Sequence, residues 1–227
     1  MARRPFCDCT ERHHLRRIVL TGGPGAGKTA TLELIRQSFC EHVQILPEAA
    51  SIVFGGGFPR PPTLEASRAA QRAIFHVQRE LEIAAANNSA ILLCDRGTVD
   101  GAAYWPGPDD FFESVETTLE DELRRYDAVI HLRTPGAESG YNRTNPVRTE
   151  SAAEAALRDE KIFAIWQSHP RRYIVEAVPE FLTKAARVLE IIRGEMPECC
   201  AHHVVPQLDA SARSGARSGT SAVADPA

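Results

Sequence analysis

The chain has 227 residues, of which 43% are hydrophobic, and it carries a formal net charge of −4. This length and composition suit one α/β domain with short tails. The weak negative charge argues against a protein that coats nucleic acid, and no apolar run is long enough to span a bilayer. No secretory signal is apparent either. We therefore expect a cytoplasmic protein with no nucleic-acid partner and no membrane insertion.

Short apolar segments predict strands, and amphipathic segments between them predict helices. The strands are expected at residues 16–21, 42–46, 90–94, 128–132 and 173–176. The long helices are expected at residues 28–40, 63–87, 111–126 and 150–168, and in a last segment from Phe181 to Ile192. Thr63 is the expected N-cap of the second helix. The loop prediction for residues 47–62 rests on the run FGGGFPRPP, which is rich in Gly and Pro.

The alternation of strands and helices predicts an α/β fold with a five-stranded parallel sheet and helices on both faces. Residues 1–15 are expected to form a flexible leader, and residues 16–196 the domain. Residues 197–227 are low in bulky apolar side chains and are expected to be disordered. In parallel sheets ligands bind beyond the carboxyl ends of the strands. The polar residues that follow the strands should therefore gather at one edge.

Several of the six cysteines stand with histidines at the two ends of the chain. These terminal clusters are Cys7, Cys9, His13 and His14 at one end, and Cys199, Cys200, His202 and His203 at the other. Together they could supply tetrahedral zinc ligands. Their spacing matches no standard zinc module, however, and favours the alternative of two flexible tails that carry soft side chains.

The run GGPGAGKT, residues 22–29, fits the pattern G-x-x-x-x-G-K-[ST] between a predicted strand and a predicted helix. Its glycines let backbone N–H groups turn toward phosphate oxygens, and the helix N-terminus adds partial positive charge. Lys28 would contact the β- and γ-phosphates, and the Thr29 hydroxyl would bind Mg²⁺. We therefore expect ATP or GTP with Mg²⁺, held by Gly22, Gly23, Pro24, Gly25, Ala26, Gly27, Lys28, Thr29 and Ala30.

The run ILLCDRG places Asp95 and Arg96 at the end of the third strand. Asp95 could bind Mg²⁺, through water or directly, or act as a general base, although a simple turn residue is the alternative. Arg96 stands where motor-type ATPases carry a glutamate that activates water. A guanidinium stays protonated and cannot act as a base, but it binds phosphates and carboxylates well. The pair therefore favours phosphoryl transfer over mechanical work.

Glu48 and two arginines complete the candidate catalytic set. Glu48 follows the second strand and could be the general base for an acceptor hydroxyl, or cap the next segment. Arg143 and Arg148 lie in YNRTNPVRTE after the fourth strand. As part of a closing lid they would stabilise the charge of phosphoryl transfer, whereas the alternative is an ordinary solvated loop.

The segments GGPGAGKT, PEAA, CDRG and NPVRTE together resemble the P-loop nucleoside and nucleotide kinases. More narrowly, they resemble the AAA-type ATPase/kinase family of NAD metabolism, which includes the kinase-like domain of the NadR regulators and nucleotide-binding trafficking proteins. The resemblance covers residues 16–195. It implies Mg²⁺-dependent transfer of a γ-phosphoryl group to a small hydroxylated, nucleoside-like acceptor, which is nicotinamide riboside for some members. Gly97 departs from the pattern, because a hydroxyl residue often follows Asp-Arg in nucleoside kinases.

The alternative function is a nucleotide-dependent switch with slow hydrolysis and a protein or phosphoinositide partner. The two functions differ at the acceptor pocket. A kinase needs a cavity near the γ-phosphate, enclosed by Glu48, Arg60, Arg68 and Arg72, whereas a switch would leave that region open.

Overall fold

The computed structural model describes residues 7–85, 90–135 and 152–200, and the structural statements below concern those residues. Five parallel strands form one sheet in the order β2-β3-β1-β4-β5. The strands are β1 (Arg16–Thr21), β2 (Val43–Leu46), β3 (Ile91–Asp95), β4 (Ala128–Leu132) and β5 (Arg172–Val175). The prediction of a five-stranded parallel α/β sheet is confirmed.

Helices cover both faces of the sheet, as predicted. They are α1 (Lys28–Ser38), α2 (Ala49–Gly55), α3 (Leu64–Ala84), α4 (Asp100–Tyr104), α5 (Phe111–Ser114), α6 (Leu119–Arg124), α7 (Ala152–Ile165) and α8 (Phe181–Glu195). Side chains alternate along β1, so Ile18 packs with α1 and α8 on one face, whereas Val19 packs with α3 and Trp166 on the other. None of the described helices combines the length and apolar character that crossing a membrane requires.

Two segments differ from the sequence-based expectation. Helix α2 lies within the predicted loop 47–62, because its residues AASIVF contain no Gly or Pro and bury Ala49 and Val53 against the domain. The Gly and Pro residues that suggested a loop all follow or end this helix. Thr63 is confirmed as the N-cap of α3, because its hydroxyl accepts a hydrogen bond from the Ala66 N–H at 3.3 Å.

The predicted helix 111–126 is two short helices, α5 and α6. The chain turns at Glu116, whose φ of 56° lies in the left-handed region and ends the first helix. Thr118 then starts the second, since its hydroxyl accepts from the Asp121 N–H at 3.1 Å. The apolar spacing across residues 111–126 therefore reflects two buried faces rather than one continuous stripe.

The described ends of the chain pack against the domain. We expected a flexible leader up to residue 15 and disorder from residue 197. Cys7 is 4% exposed, and Cys200 is 5% exposed in a 3-10 turn (Glu198–Cys200). Residues of both predicted tails therefore pack against the domain, while the limits of the domain stay a prediction. Residues 201–227 lie outside the described residues.

Candidate active site

The register of the sheet brings the predicted strand-end residues together. Leu20 pairs with Asp95 across β1 and β3, and Leu46 at the end of β2 pairs with Cys94. The phosphate loop therefore starts beside Asp95, and Glu48 lies two residues beyond the end of the next strand. All three features occupy the carboxyl edge of the sheet, where ligands bind in parallel α/β folds.

The loop GGPGAGKT connects β1 to α1 and needs glycine at its first position. Gly22 has a φ of 135°, and a Cβ there would lie 2.1 Å from the carbonyl oxygen of Leu132. The loop opens onto a cleft of about 740 Å³. Of the predicted binding residues, those lining this cleft are Pro24, Gly25, Ala26, Gly27, Lys28, Thr29, Ala30, Glu48, Asp95 and Arg96.

Side chains from the second half of the chain hold the loop in place. The Gly23 N–H donates to Asp159 Oδ1 at 2.8 Å. The Lys184 ammonium donates to the Ala26 carbonyl at 2.9 Å, and the Thr134 hydroxyl to the Pro24 carbonyl at 3.3 Å. Asp159 and Lys184 are 2% and 4% exposed. Our sequence reasoning missed both, although each is a charged residue on the buried face of a predicted helix.

Lys28 lies against the loop with its ammonium bonded to backbone oxygens. Its Nζ donates to the carbonyls of Gly22 and Gly23 at 2.8 and 2.9 Å. Burial lowers the pKa of Lys28 to about 7, and the Arg96 cation adds to this effect, while Asp95 and neighbouring carboxylates oppose it. An anion bound in the cleft would restore the charged form, so the lysine is suited to phosphate.

Asp95 presents a buried oxygen to the cleft. Its Oδ1 has no hydrogen-bond partner among the described residues. Burial raises the pKa of Asp95 to about 6, against the attraction of Lys28. A buried carboxylate oxygen without a partner is costly unless a cation or donor occupies the space beside it. The exposed hydroxyl residue Thr29 lines the same cleft, so this pair of oxygen donors fits Mg²⁺.

Arg96 adopts a backbone conformation that is unusual for a residue with a side chain. Its φ is 72°, in the left-handed region. Its Nε donates to Glu48 Oε1 at 2.8 Å, and its Nη1 lies 3.5 Å from Asp100 Oδ1. Burial lowers the pKa of Arg96, but the attraction of Tyr104, Asp100 and Glu48 raises it overall. The strained turn therefore fixes a permanent cation in the wall of the phosphate cleft.

Asp100 holds this turn, and the sequence reasoning did not identify it. It is 3% exposed and accepts hydrogen bonds from the Thr21 hydroxyl, from the Gly97 N–H at 2.9 Å and from the indole N–H of Trp166 at 3.3 Å. The Trp166 ring also covers Gly97, where a Cβ would lie 2.9 Å from it. This contact gives a physical reason for the absence of a hydroxyl residue after Asp-Arg.

A second, smaller cavity adjoins the cleft. Its volume is about 130 Å³, and it lies between α2, α3 and α4. Glu48 and Arg96 line both this cavity and the phosphate cleft. The rest of its wall is mainly apolar, with amide and hydroxyl groups from Gln71, Gln78, Thr98 and Tyr104.

The cavity is enclosed by different residues from those we expected. Only Glu48 of the predicted enclosing residues lines it directly. Arg60 stacks on the ring of Phe54, which is part of the wall, at 3.5 Å. Arg68 and Arg72 lie over Trp105 instead, at 5.3 and 6.0 Å from its ring centroid. Gln71 and Gln78, which also lie on α3, line the cavity where these arginines were expected.

The predicted lid arginines, Arg143 and Arg148, lie outside the described residues. Their position relative to the cleft stays a prediction. The chain leaves β4 beside the phosphate loop, since His131 pairs with Thr21.

Comparisons with known proteins agree with the fold. The chain has the fold of thymidylate kinase from Candida albicans, with a TM-score of 0.56 and 15% sequence identity over 79% of this chain and 91% of that chain. No curated protein matches the sequence. The sequence pattern of the AAA domain matches residues 17–180, from β1 to the start of α8. The chain therefore belongs to the AAA domain family and is a P-loop NTPase with a kinase-like fold.

Proposed function

We propose that this protein transfers the γ-phosphoryl group of ATP or GTP to a small hydroxylated, nucleoside-like acceptor. The observation that carries the proposal is the Glu48–Arg96 pair, which lines both the phosphate cleft and the second cavity. A phosphoryl donor in one space and an acceptor in the other would meet at this pair. The kinase-like fold agrees with transfer. So does Arg96, which replaces the glutamate that follows the strand-end aspartate in motor ATPases.

Positioning and charge neutralisation are the main tasks of a site that transfers a phosphoryl group, because the transition state is loose and its charge is spread over oxygens. The loop glycines supply backbone N–H groups, and Lys28 supplies a cation from α1. Arg96 adds a second cation on the acceptor side. Mg²⁺, when bound by Thr29 and Asp95, would supply neutralisation of the phosphate charge.

Glu48 is the better candidate for the base that receives the acceptor proton. Burial raises its pKa, but Arg96 and the Ser51 hydroxyl lower it overall, so the carboxylate is ionised at neutral pH. It faces both cavities, whereas Asp95 lines only the phosphate cleft and is suited to Mg²⁺. Arg143 and Arg148 would add charge from the lid, in keeping with the resemblance to P-loop kinases.

An acceptor screen tests the proposal. Purified protein is incubated with Mg²⁺ and ATP or GTP, and nucleoside diphosphate formation is measured with and without nucleosides, nucleotides and small cofactors, including nicotinamide riboside. At least one acceptor should stimulate diphosphate formation. Lys28→Ala should abolish the stimulated rate, whereas the exposed lysine variant Lys161→Ala should retain it. Stimulated turnover that survives Lys28→Ala would contradict the site assignment.

The size of the second cavity favours one alternative, a nucleotide-dependent switch with a protein or phosphoinositide partner. At about 130 Å³ the cavity is smaller than the roughly 300 Å³ at which small-molecule pockets usually begin. An acceptor would therefore need α2 or α3 to move outward. The same screen separates the functions, because slow hydrolysis that no acceptor stimulates is the result expected of a switch.

A further inference from the structure

Thiol and imidazole side chains from three distant stretches of the chain converge on one place. They come from the N-terminal stretch, from the connection between α1 and β2, and from the 3-10 turn (Glu198–Cys200). The converging residues are Cys7, Cys9, His13, Cys40, His42, Cys199 and Cys200. His42 directly precedes β2 (Val43–Leu46), so the cluster lies at the amino ends of the strands. The candidate active site lies at the opposite, carboxyl ends of the strands.

Four of these residues form a buried group, the inner set, consisting of Cys7, Cys40, His42 and Cys200. Each is at most 5% exposed, and their ligand atoms all lie within 4.8 Å of one another. The Sγ atoms of Cys40 and Cys200 are 3.5 Å apart. The Nδ1 atom of His42 lies 3.4 Å from the first and 3.2 Å from the second.

These separations are close to the edges of a zinc tetrahedron. Zinc binds thiolate sulfur at about 2.3 Å and imidazole nitrogen at about 2.0 Å, which places tetrahedral ligand atoms roughly 3.5 to 3.8 Å apart. Cys40, His42 and Cys200 therefore need only a small outward adjustment to surround an ion, and Cys7 lies within 4.8 Å of them as the fourth ligand. Three thiolates and one imidazole are also soft ligands that favour zinc over Mg²⁺ or Ca²⁺.

The remaining residues form an outer set that is less complete. His13 Nε2 lies 3.3 Å from the Sγ atoms of both Cys9 and Cys199. The fourth member of this group is His42, which the inner set already uses. Cys9, His13 and Cys199 are also partly exposed. A complete and buried ligand group is typical of a structural zinc site, and only the inner set meets that description.

We propose that the inner set binds one Zn²⁺ ion that fastens both described ends of the chain to the sheet. Binding converts the three thiols to thiolates and releases their protons. The ion joins residues far apart in sequence, such as Cys40 and Cys200, which are 160 positions apart. Since the unfolded chain has no preformed site, zinc binding adds to the stability of the fold.

A disulfide is the main competing explanation for the close thiols. Cys40 and Cys200 could form one if their sulfur atoms approached to about 2.05 Å. That bond would leave Cys7 and His42 beside it without a role, whereas zinc uses all four side chains. All six cysteines are free in the structure.

Metal analysis of the full chain tests the proposal. Protein purified under reducing conditions and dialysed against a weak chelator should contain one zinc per chain by mass spectrometry. Cobalt added to zinc-free protein should give the intense visible bands of tetrahedral Co²⁺ and a thiolate charge-transfer band. Folded, reduced protein that binds neither ion would overturn the proposal, as would a Cys40–Cys200 disulfide that persists after purification under reducing conditions.

Variants identify the ligands. Cys40→Ser and Cys200→Ser should lose zinc and unfold at a lower temperature than the wild type. Cys9→Ser, in the outer set, and Cys94→Ser, a buried cysteine in β3, should both keep one zinc per chain. If Cys200→Ser keeps zinc while Cys9→Ser loses it, the inner set is the wrong assignment. If a ligand variant fails to fold, the cobalt spectrum of the wild-type chain still decides the result.

Removal of the metal should separate stability from ligand binding. A strong chelator is expected to lower the melting temperature of the wild-type chain by several degrees. Nucleotide affinity measured below that temperature should stay within twofold, because the inner set and the phosphate loop occupy opposite edges of the sheet. An unchanged melting temperature after complete zinc removal would contradict the structural role of the ion.

Discussion

Replacement of Asp159 by alanine tests whether α7 holds the phosphate loop in its binding conformation. The carboxylate accepts hydrogen bonds from the Gly23 N–H at 2.8 Å and the Thr134 N–H at 3.3 Å, and it lies 3.0 Å from the His131 ring nitrogen. Alanine removes these acceptors and leaves the donors in a site that is only 2% exposed. The first residues of the loop would then lose their fixed orientation.

Replacement of Asp159 should lower stability and nucleotide affinity more than replacement of its neighbour Glu160. A buried donor left without a partner costs about 1–3 kcal/mol, so Asp159→Ala should lower the free energy of unfolding by about 2–4 kcal/mol. Nucleotide affinity should fall about tenfold, which corresponds to about 1.4 kcal/mol. Glu160→Ala is the matched control, because both carboxylates form an ion pair with Arg133 but that of Glu160 is 60% exposed. Its removal should change stability by less than about 1 kcal/mol.

Urea unfolding measures the loss of stability, and a nucleotide titration measures the loss of affinity.

The stabilising effect of Asp159 should depend on pH. Burial raises the pKa of Asp159, but the hydrogen bonds from His131 and Gly23 lower it overall. The stabilising effect of the carboxylate is therefore complete above its ordinary pKa of 3.8 and is lost as the pH falls through the lower folded value. If Asp159→Ala is no less stable than Glu160→Ala and binds nucleotide equally well, Asp159 does not hold the loop.

Three further predictions concern the active-site residues. Burial lowers the pKa of Lys28 to about 7. At about one pH unit above that value the protein should therefore take up a proton when it binds nucleotide, and the calorimetric heat of binding should depend on the buffer. Heats that do not depend on the buffer would contradict this. Glu48→Gln should slow acceptor-stimulated turnover about 100-fold with nucleotide affinity nearly unchanged, whereas the exposed variant Glu80→Gln should match the wild type. An equal fall in turnover and affinity would assign Glu48 to nucleotide binding. Gly97→Ala should lower the free energy of unfolding by about 1–3 kcal/mol, because the new Cβ would lie 2.9 Å from Trp166, and unchanged urea unfolding would show that the ring moves freely.

Local patterns explain the parts of the fold that the sequence predicted well. Each strand is a short apolar run with clear ends, and the phosphate loop is a contiguous motif whose glycines and lysine act within a few residues. The loop prediction for residues 47–62 was wrong at α2 because Gly and Pro were counted over the whole segment. The helix predicted over residues 111–126 was wrong because periodicity does not detect the turn at Glu116.

The residues that the sequence did not reveal act across long distances in the chain. Asp159 meets Gly23 over 136 positions, and Lys184 meets Ala26 over 158. No spacing rule predicts such a contact, although a charged residue on the buried face of a helix indicates that a partner exists. Two members of the inner set, Cys7 and Cys200, were among the candidate zinc ligands, but Cys40 and His42 were missed for the same reason, because they lie far from both ends of the chain and match no contiguous zinc motif.

The fate of the γ-phosphoryl group in a single turnover tests the central proposal most directly. Excess protein is mixed with γ-labelled ATP or GTP, Mg²⁺ and the stimulating acceptor, and the labelled products are separated. The Glu48–Arg96 junction between the two cavities predicts that most of the label appears in the phosphorylated acceptor. Label found entirely in inorganic phosphate would contradict phosphoryl transfer.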